Sequence, residues 1–232
     1  MRKWITANGC IIYQTTKGRG NSYLVLDNDI SILVDTGLEN SREELMEKLD
    51  HLIGENNLSY LVLTHTHYDH VGSTAIIKEK YGSKTVVQSI EAENLIQGNS
   101  HIPNGTNILT SIVVGVGRRI NRLSTYEKAS PDIFVDNCYS LTSKCYLVHT
   151  PGHTKGSMSL IVDDEVALVG DAMFGVFWWS VFPPFADDVP TIIKNWGKLL
   201  NTGCKLFLPG HGTENSRELL EKQYNKYKAK YI

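Results

Sequence analysis

The chain holds little cysteine and arranges it without pattern. Cys10, Cys138, Cys145 and Cys204 are its four cysteines in 232 residues, with no Cys-x-x-Cys pair among them. Reduced thiols in a cytoplasmic protein are therefore expected rather than a disulfide framework. Long apolar runs are lacking too: no stretch approaches the roughly 18 residues of a membrane span, so no membrane partner is expected. A charge excess is also missing. With 23 Lys and Arg against 25 Asp and Glu, a formal net charge of −2 and a pI of about 6.4, no general polyanion-binding surface is advertised and no nucleic-acid partner is expected. Residues 1–9 lack the apolar core of a secretory signal, which again points to the cytoplasm. What remains is ordinary globular composition, 41% hydrophobic and 21% charged, in a chain long enough for one sizeable core. One domain over residues 1–232 is the reading.

Short β-branched or aromatic runs at residues 11–13, 23–26 and 30–34, separated by Gly, Asn and Asp, predict strands. Asp27-Asn28-Asp29 suits the turn between the last two. Ser41-Arg42-Glu43-Glu44 has capping-box spacing and opens a helix with Leu45, Leu49 and Leu52 on one side. A strand over 60–63, a helix over 74–81, a short strand at 86–87 and a helical segment over 90–97 follow. From 98 to 137 glycines are frequent, Pro103 and Pro131 interrupt and the periodicity fades, so an irregular connection is expected. Strands over 145–148, 157–162 and 165–169 come next, the last two joined by a turn at Asp163-Asp164. A helix over 190–200, a strand over 205–208 and a helix over 214–228 complete the chain. Strand groups followed by helices predict two sheets with helices outside.

The apolar run Tyr60-Leu61-Val62-Leu63 leads into His65-Thr66-His67-Tyr68-Asp69-His70, three histidines and an aspartate in six positions. Imidazole and carboxylate suit zinc and other first-row transition metals. Residues i and i+2 of a strand project to one face, so His65 and His67 can converge on one point as the strand ends. Asp69 and His70 fall where the chain must turn, and can address a neighbouring point. Gly72 is expected to ease that turn through its backbone freedom. Burying these groups without partners would be costly, and a metal ion supplies the partner. Pro151-Gly152-His153, Gly170-Asp171 and Pro209-Gly210-His211 each follow an apolar strand candidate, on loops where scaffolds place chemistry. Together the ligands are too many for one ion. His51, His101 and His149 lie outside these motifs and read as ordinary.

In this order, His65 to His70, Pro151-Gly152-His153-Thr154, Gly170-Asp171 and Pro209-Gly210-His211-Gly212 resemble the motifs of the metallo-β-lactamase superfamily, and Val34-Asp35-Thr36-Gly37 resembles its upstream strand-end motif. The resemblance runs over roughly residues 10–215. It implies a four-layer αββα sandwich of the α/β (α+β) class, two mixed sheets with helices outside, and a metal site at one edge between the sheets. One metal is implied on His65, His67 and His153, and a second on Asp69, His70 and His211. Asp171 would bridge them together with a hydroxide, and Asp35 would orient the site without binding metal. Two divalent ions follow, zinc foremost, with iron or manganese compatible with the same donors. Such a pair, about 3.5–4 Å apart, can polarise a substrate oxygen and lower the pKa of a bound water. Asp69 is a candidate for handling a proton in turnover.

Departures from the pattern narrow the substrate. Asp171 stands where the best-known β-lactamases of this fold carry a cysteine ligand, which argues against antibiotic cleavage. His67 stands where the di-iron redox branch typically has Glu, and the chain is too short for the extra domain of the RNA-processing members. Residues 170–212 most resemble the glyoxalase II-like thioesterases, yet residues 174–188 contain none of the basic residues expected for glutathione. The run Phe174-Gly175-Val176-Phe177-Trp178-Trp179 offers Phe174, Phe177, Trp178 and Trp179 as an apolar wall for a substrate; a packed loop or subunit interface is the other reading. Arg118, Arg119 and Arg122 can receive a phosphate or carboxylate, although a solvated helix face is the simpler account. Lys155 stands where many relatives have proline. The expectation is a dinuclear hydrolase of ester, thioester or lactone bonds in a small molecule, with a homodimer open. A metal-dependent phosphodiesterase and an iron-containing redox or oxygen-handling protein are the alternatives.

Overall fold

Alternating apolar side chains in the early strands leave one face of a sheet for each of two cores. The structure, a computed structural model, describes residues 1–54, 57–120 and 123–232. Strands β1 (Lys3–Ile5), β2 (Ile11–Thr16), β3 (Ser22–Asp27) and β4 (Ile30–Val34) pair as an antiparallel meander. After helix α1 (Arg42–Ile53) the sheet grows in parallel through β5 (Tyr60–Val62), β6 (Lys84–Gln88) and β7 (Ile133–Val135). Helices α2 (Tyr68–Val71), α3 (Thr74–Tyr81), α4 (Ala92–Gln97) and α5 (Ile108–Gly117) lie in the connections. The second sheet holds β8 (Cys138–Ser140), β9 (Cys145–His149), β10 (Met158–Val162), β11 (Val166–Gly170), β12 (Leu206–Pro209) and β13 (Asn215–Ser216). Its pairs are antiparallel except β11 with β12, between which α6 (Val189–Leu200) carries the chain across, as a parallel pair requires. Helix α7 (Arg217–Tyr231) follows.

Three apolar clusters define four layers. The central one takes Ile12, Val25, Ile32 and Val62 from the first sheet and Leu147, Leu160, Leu168 and Leu208 from the second. A second packs Leu24, Leu33 and Leu61 under Leu45, Leu49 and Ile77 of α1 and α3. The third packs Ala167 and Phe207 under Ile192, Trp196 and Leu220 of α6 and α7. The αββα sandwich with mixed sheets is therefore the fold.

All four cysteines are free thiols, Cys138 exposed and the other three buried. Cys10 and Cys145 meet Asp27 at the strand ends opposite His65 and Asp171, their ligand-type atoms within 4.8 Å of one another. Burial pushes the Cys145 thiol up to about 12 and the Cys204 thiol up to about 11.

The stretch 98–137 is more ordered than its composition suggests, since it contains α5 and β7. Elsewhere the differences are at edges. Ser41 precedes α1 but its side chain makes no cap, because a 3-10 turn over Glu39–Ser41 already leads into the helix. Helix α7 begins at Arg217 rather than Glu214, because Asn215 and Ser216 pair with β12 first. Gly72 has φ of −58°, an ordinary helical value, so freedom of φ is not its contribution. Space is: a Cβ there would lie 2.4 Å from Glu39 N and 2.9 Å from Gly37 O.

Candidate metal centre

Each strand that ends at this rim delivers one piece of the site. β5 delivers His65 and His67, then α2 brings Asp69 and His70. The loop after β9 delivers His153, β11 ends before Asp171, and the loop after β12 carries His211. The seven residues converge where the two sheets face each other. His65, His67 and His153 form one donor group, His65, His70 and Asp171 another, and Asp69, His70 and His211 a third, each with ligand-type atoms within 4.8 Å. Asp171 joins them: its Oδ1 lies 3.4 Å from His70 Nε2, and its Oδ2 lies 3.4 Å from His153 Nε2 and 3.3 Å from His211 Nε2. His211 Nε2 also lies 3.5 Å from Asp69 Oδ2.

Outer partners set which ring nitrogen faces inward. Asp35 Oδ2 receives His70 Nδ1 at 2.8 Å and Thr64 Oγ1 at 2.7 Å, while Oδ1 accepts from Thr64 N at 2.7 Å. Thr64 Oγ1 in turn lies 3.1 Å from His65 Nδ1, so one carboxylate orients two rings. The Phe185 carbonyl takes His153 Nδ1 at 2.9 Å. His211 is held differently: the Gly20 N–H points at its Nδ1 over 3.4 Å, and Phe174 stacks on its ring at 4.9 Å. Asn21 fixes that loop, donating from Nδ2 to the carbonyls of Pro209 and Gly212 at 2.9 and 3.0 Å. Gly210 leaves the room: a Cβ there would lie 2.4 Å from Asp171 Oδ1 and 2.5 Å from His70 Cε1.

The donor set fits metal ions. His65 Nε2, His67 Nε2, His70 Nε2 and Asp171 Oδ1 are buried with no hydrogen-bond partner, although native interiors leave very few such atoms unpaired. Burial, reinforced by neighbouring imidazoles, holds His65 and His67 well below the usual histidine range, which keeps their lone pairs free. Burial would raise Asp171, but His211, His70 and His153 overcome it and hold the carboxyl well below its ordinary value. Against burial, Asp171 and Asp35 raise His70 well above the usual histidine range and Asp171 raises His211; a divalent cation would take the place of those protons, since a ligating imidazole is neutral.

The site opens on a cavity of about 390 Å³, walled by Ile102, Pro103, Val113, Leu123, Phe174 and Phe185. Some residues there carried no signal in the sequence. His101 lines this cavity and its Nε2 lies 2.6 Å from Asp187 Oδ2; it is part of the site's surroundings rather than an ordinary surface histidine. Arg19 and Tyr68 line it too. Glu91 lies just behind, buried, accepting from Thr66 N at 3.2 Å and Gly156 N at 3.3 Å. Arg19, His101 and Glu91 lie outside the ligand motifs, where a single residue has no spacing to be read, whereas Tyr68 sits within the first motif and opens α2.

The aromatic run is divided by position. Phe174 lines the inner cavity and also an outer one, where Phe177 and Trp179 face Thr106 and Asn107. Trp178 lines neither and is 84% exposed. Arg118 donates from Nη2 to the Ile102 carbonyl and to Asn104 Oδ1, both at 2.9 Å, fastening the loop that carries His101. Arg119 is exposed, and Arg122 lies outside the described residues. Lys155 is exposed and its carbonyl lies 2.8 Å from His149 Nε2.

A family model described as the metallo-beta-lactamase superfamily matches residues 15–211. The chain belongs to the metallo-β-lactamase superfamily. It is 29% identical over 209 residues to a protein of Methanocaldococcus jannaschii named a probable metallo-hydrolase, covering 85% of this chain and 89% of the relative. It is also 29% identical over 199 residues to the nitric oxide reductase of Moorella thermoacetica, covering 83% of this chain and 48% of the reductase. Among solved structures, an archaeal metallo-β-lactamase superfamily protein from Sulfolobus tokodaii has a TM-score of 0.68 at 21% identity, over 93% of this chain and 85% of that one. A subclass B3 metallo-β-lactamase of Bradyrhizobium japonicum has a TM-score of 0.64 at 18% identity, over 95% and 91%. At such identities the solved structures establish the fold alone. At the level of its superfamily the chain is a hydrolase-type enzyme with His and Asp groups that suit divalent metal ions.

Proposed function

We propose that this member of the superfamily is a dinuclear metal-dependent hydrolase of an ester, thioester or lactone with an apolar acyl part. The observation that carries the reading is the convergence of His65, His67 and His153, and of Asp69, His70 and His211, each set with ligand-type atoms within 4.8 Å, beside an apolar-walled cavity that His67, Asp69, His153, Asp171 and His211 line. His65, His67 and His153 would hold one ion, Asp69, His70 and His211 the other, with Asp171 between them. Bound there, such ions supply Lewis acidity toward the scissile oxygen and a hydroxide nucleophile near neutral pH.

The chain's own groups account for the rest. Asp35 keeps His70, and through Thr64 His65, turned inward. Asp69, half-buried beside His211, is placed to hold a proton on Oδ2 and return it to a leaving group. His101, its pKa raised by the hydrogen bond to Asp187, lines the cavity together with Arg19. Phe174, Phe185, Ile102 and Val113 exclude water from an acyl chain.

The test pairs metal analysis with a substrate panel. Purified protein should carry two divalent ions per chain and hydrolyse members of a series of lactones, aryl esters and acyl thioesters. Asp171→Ala should lose metal and reduce turnover at least ~10³-fold, as loss of a group that holds the catalytic ions implies. Two ions and normal turnover in that variant would refute the assignment. Activity on bis(4-nitrophenyl) phosphate or a β-lactam alone, or bound iron with oxygen consumption, would replace the reading with another chemistry.

A further inference from the structure

The large apolar residues that the core does not use gather beside the mouth of the site. Ile108, Ile112, Val116 and Ile120 recur at four-residue steps along and just beyond α5, with Leu109 and Val113 alongside, and all are exposed. Such spacing draws one stripe on a helix, and this stripe faces solvent: Ile108 is 81% exposed. Val114 and Gly117 are the buried residues of the helix. Its start is stitched to the segment following the aromatic run, for Thr106 donates from N to the Pro184 carbonyl at 3.0 Å and from Oγ1 to the Pro183 carbonyl at 2.9 Å. That run adds Val176, Phe177, Trp178 and Trp179, all exposed. Clustered exposure of this kind marks an interaction surface, whereas single exposed apolar residues do not.

Positive charge borders the same surface. Arg19 is exposed and lines both cavities, with Lys17 exposed two residues before it. Arg118 and Arg119 stand exposed at the C-terminal end of α5. On the other flank Tyr227 and Tyr231 of α7 pack against Phe182, with Lys226 and Lys230 over their rings. Among the residues lining the two cavities the carboxylates are Asp69 and Asp171, both inside the site. A chain of net charge −2 thus shows a basic, apolar face around its mouth.

We propose that this face docks the protein on an anionic lipid surface, so that the cavity opens toward the membrane and draws an amphiphilic substrate from it; the substrate clause rests on the hydrolase reading, the docking does not. Apolar helix residues would enter the headgroup boundary with tryptophans at the interface, and the bordering Lys and Arg side chains would meet acidic headgroups. A second copy of the chain fits this face less well. A two-fold contact sets the same surface against itself, bringing its Lys and Arg side chains together, while Asp187, the carboxylate at the cavity wall, is already paired with His101. No helix among the described residues is long and apolar enough to cross a membrane, so the docking is peripheral. The proposed docking departs from the expectation of no membrane partner, which rested on the lack of a spanning segment.

Sedimentation with vesicles tests the proposal on the metal-loaded full chain. Vesicles of phosphatidylcholine and phosphatidylglycerol at about 3:1 should bind at least about tenfold more protein than phosphatidylcholine alone, and added salt should reverse the difference. Ile108→Ser with Ile112→Ser should weaken binding about tenfold or more, and Arg118→Gln with Arg119→Gln should reduce the preference for anionic lipid severalfold. Brominated lipid should quench tryptophan fluorescence in the wild type. No binding at low salt, or binding that neither pair of substitutions changes, would overturn the proposal. So would a stable dimer that the isoleucine substitutions dissociate, in a protein that ignores vesicles. Sedimentation reads binding without turnover: docking in a protein that hydrolyses no ester would sink the hydrolase reading alone, and turnover without docking would sink only this one.

Discussion

His101 and Asp187 form the exposed pair at the cavity wall, 2.6 Å apart. The hydrogen bond to Asp187 raises the histidine above its ordinary value despite partial burial. A raised folded-state pKa contributes stability that is fully present below the unfolded value, near 6.5 by rule, and that fades as pH climbs through the folded value. His101→Ala should therefore lower the melting temperature more at about pH 5.5 than at about pH 9; equal losses at both would show that the pair is not charged. Other residues of the site were legible for a chemical reason. Three of the histidines and Asp69 lie within six positions, and His153, Asp171 and His211 each follow an apolar run by a few residues. Glu91, Arg19 and the His101–Asp187 pair were not legible, because what defines them is contact across the fold. Glu91 joins the Thr66 loop to the Gly156 loop, which are far apart along the chain.

Among the elements, α6 links helix capping to the site. Asp188 accepts from Thr191 N at 3.0 Å and its own N–H reaches the Gly152 carbonyl at 2.9 Å, while Asn195 Nδ2 donates to the Pro151 carbonyl at 2.6 Å. The first turn of α6 therefore holds the loop that bears His153. Asp188→Ala should cost about 1 kcal/mol, the usual worth of such a cap, read from denaturant midpoints, with Asp188→Asn recovering most of it. Loss of the same size in both variants would assign the effect to charge. The strands and core helices were readable because their apolar sides face a core, as Leu45, Leu49 and Ile77 do. Helix α5 was hidden for the opposite reason. Its β-branched and glycine-containing sequence has low helix propensity, and its apolar stripe faces solvent, so no polar side existed to reveal the period. Strands β1 and β8, three residues each at sheet edges, are too short to alternate visibly.

At the scale of the molecule, the centre sits on the seam between the sheets. Asp35 and the residues 65–70 follow strands of the first sheet, while His153, Asp171 and His211 belong to the second. Ions bound there would join the two halves, and a ligand that binds only the folded state stabilises it by mass action, about 4 kcal/mol at a thousandfold excess over its dissociation constant. Chelation should then lower the melting temperature by ~10 °C for a chain of this size. An unchanged melt after verified metal removal would show that the seam holds without ions.

The opposite ends of those strands have a role of their own. Burial keeps the thiols of Cys10, Cys145 and Cys204 protonated in the folded protein, leaving Cys138 as the exposed one. A thiol reacts as thiolate, so the three sealed cysteines can react only when the sandwich parts. They make the chain its own timekeeper: alkylation beyond the first thiol counts openings of the interior, at Cys10 and Cys145 between the sheets and at Cys204 beneath the outer helices.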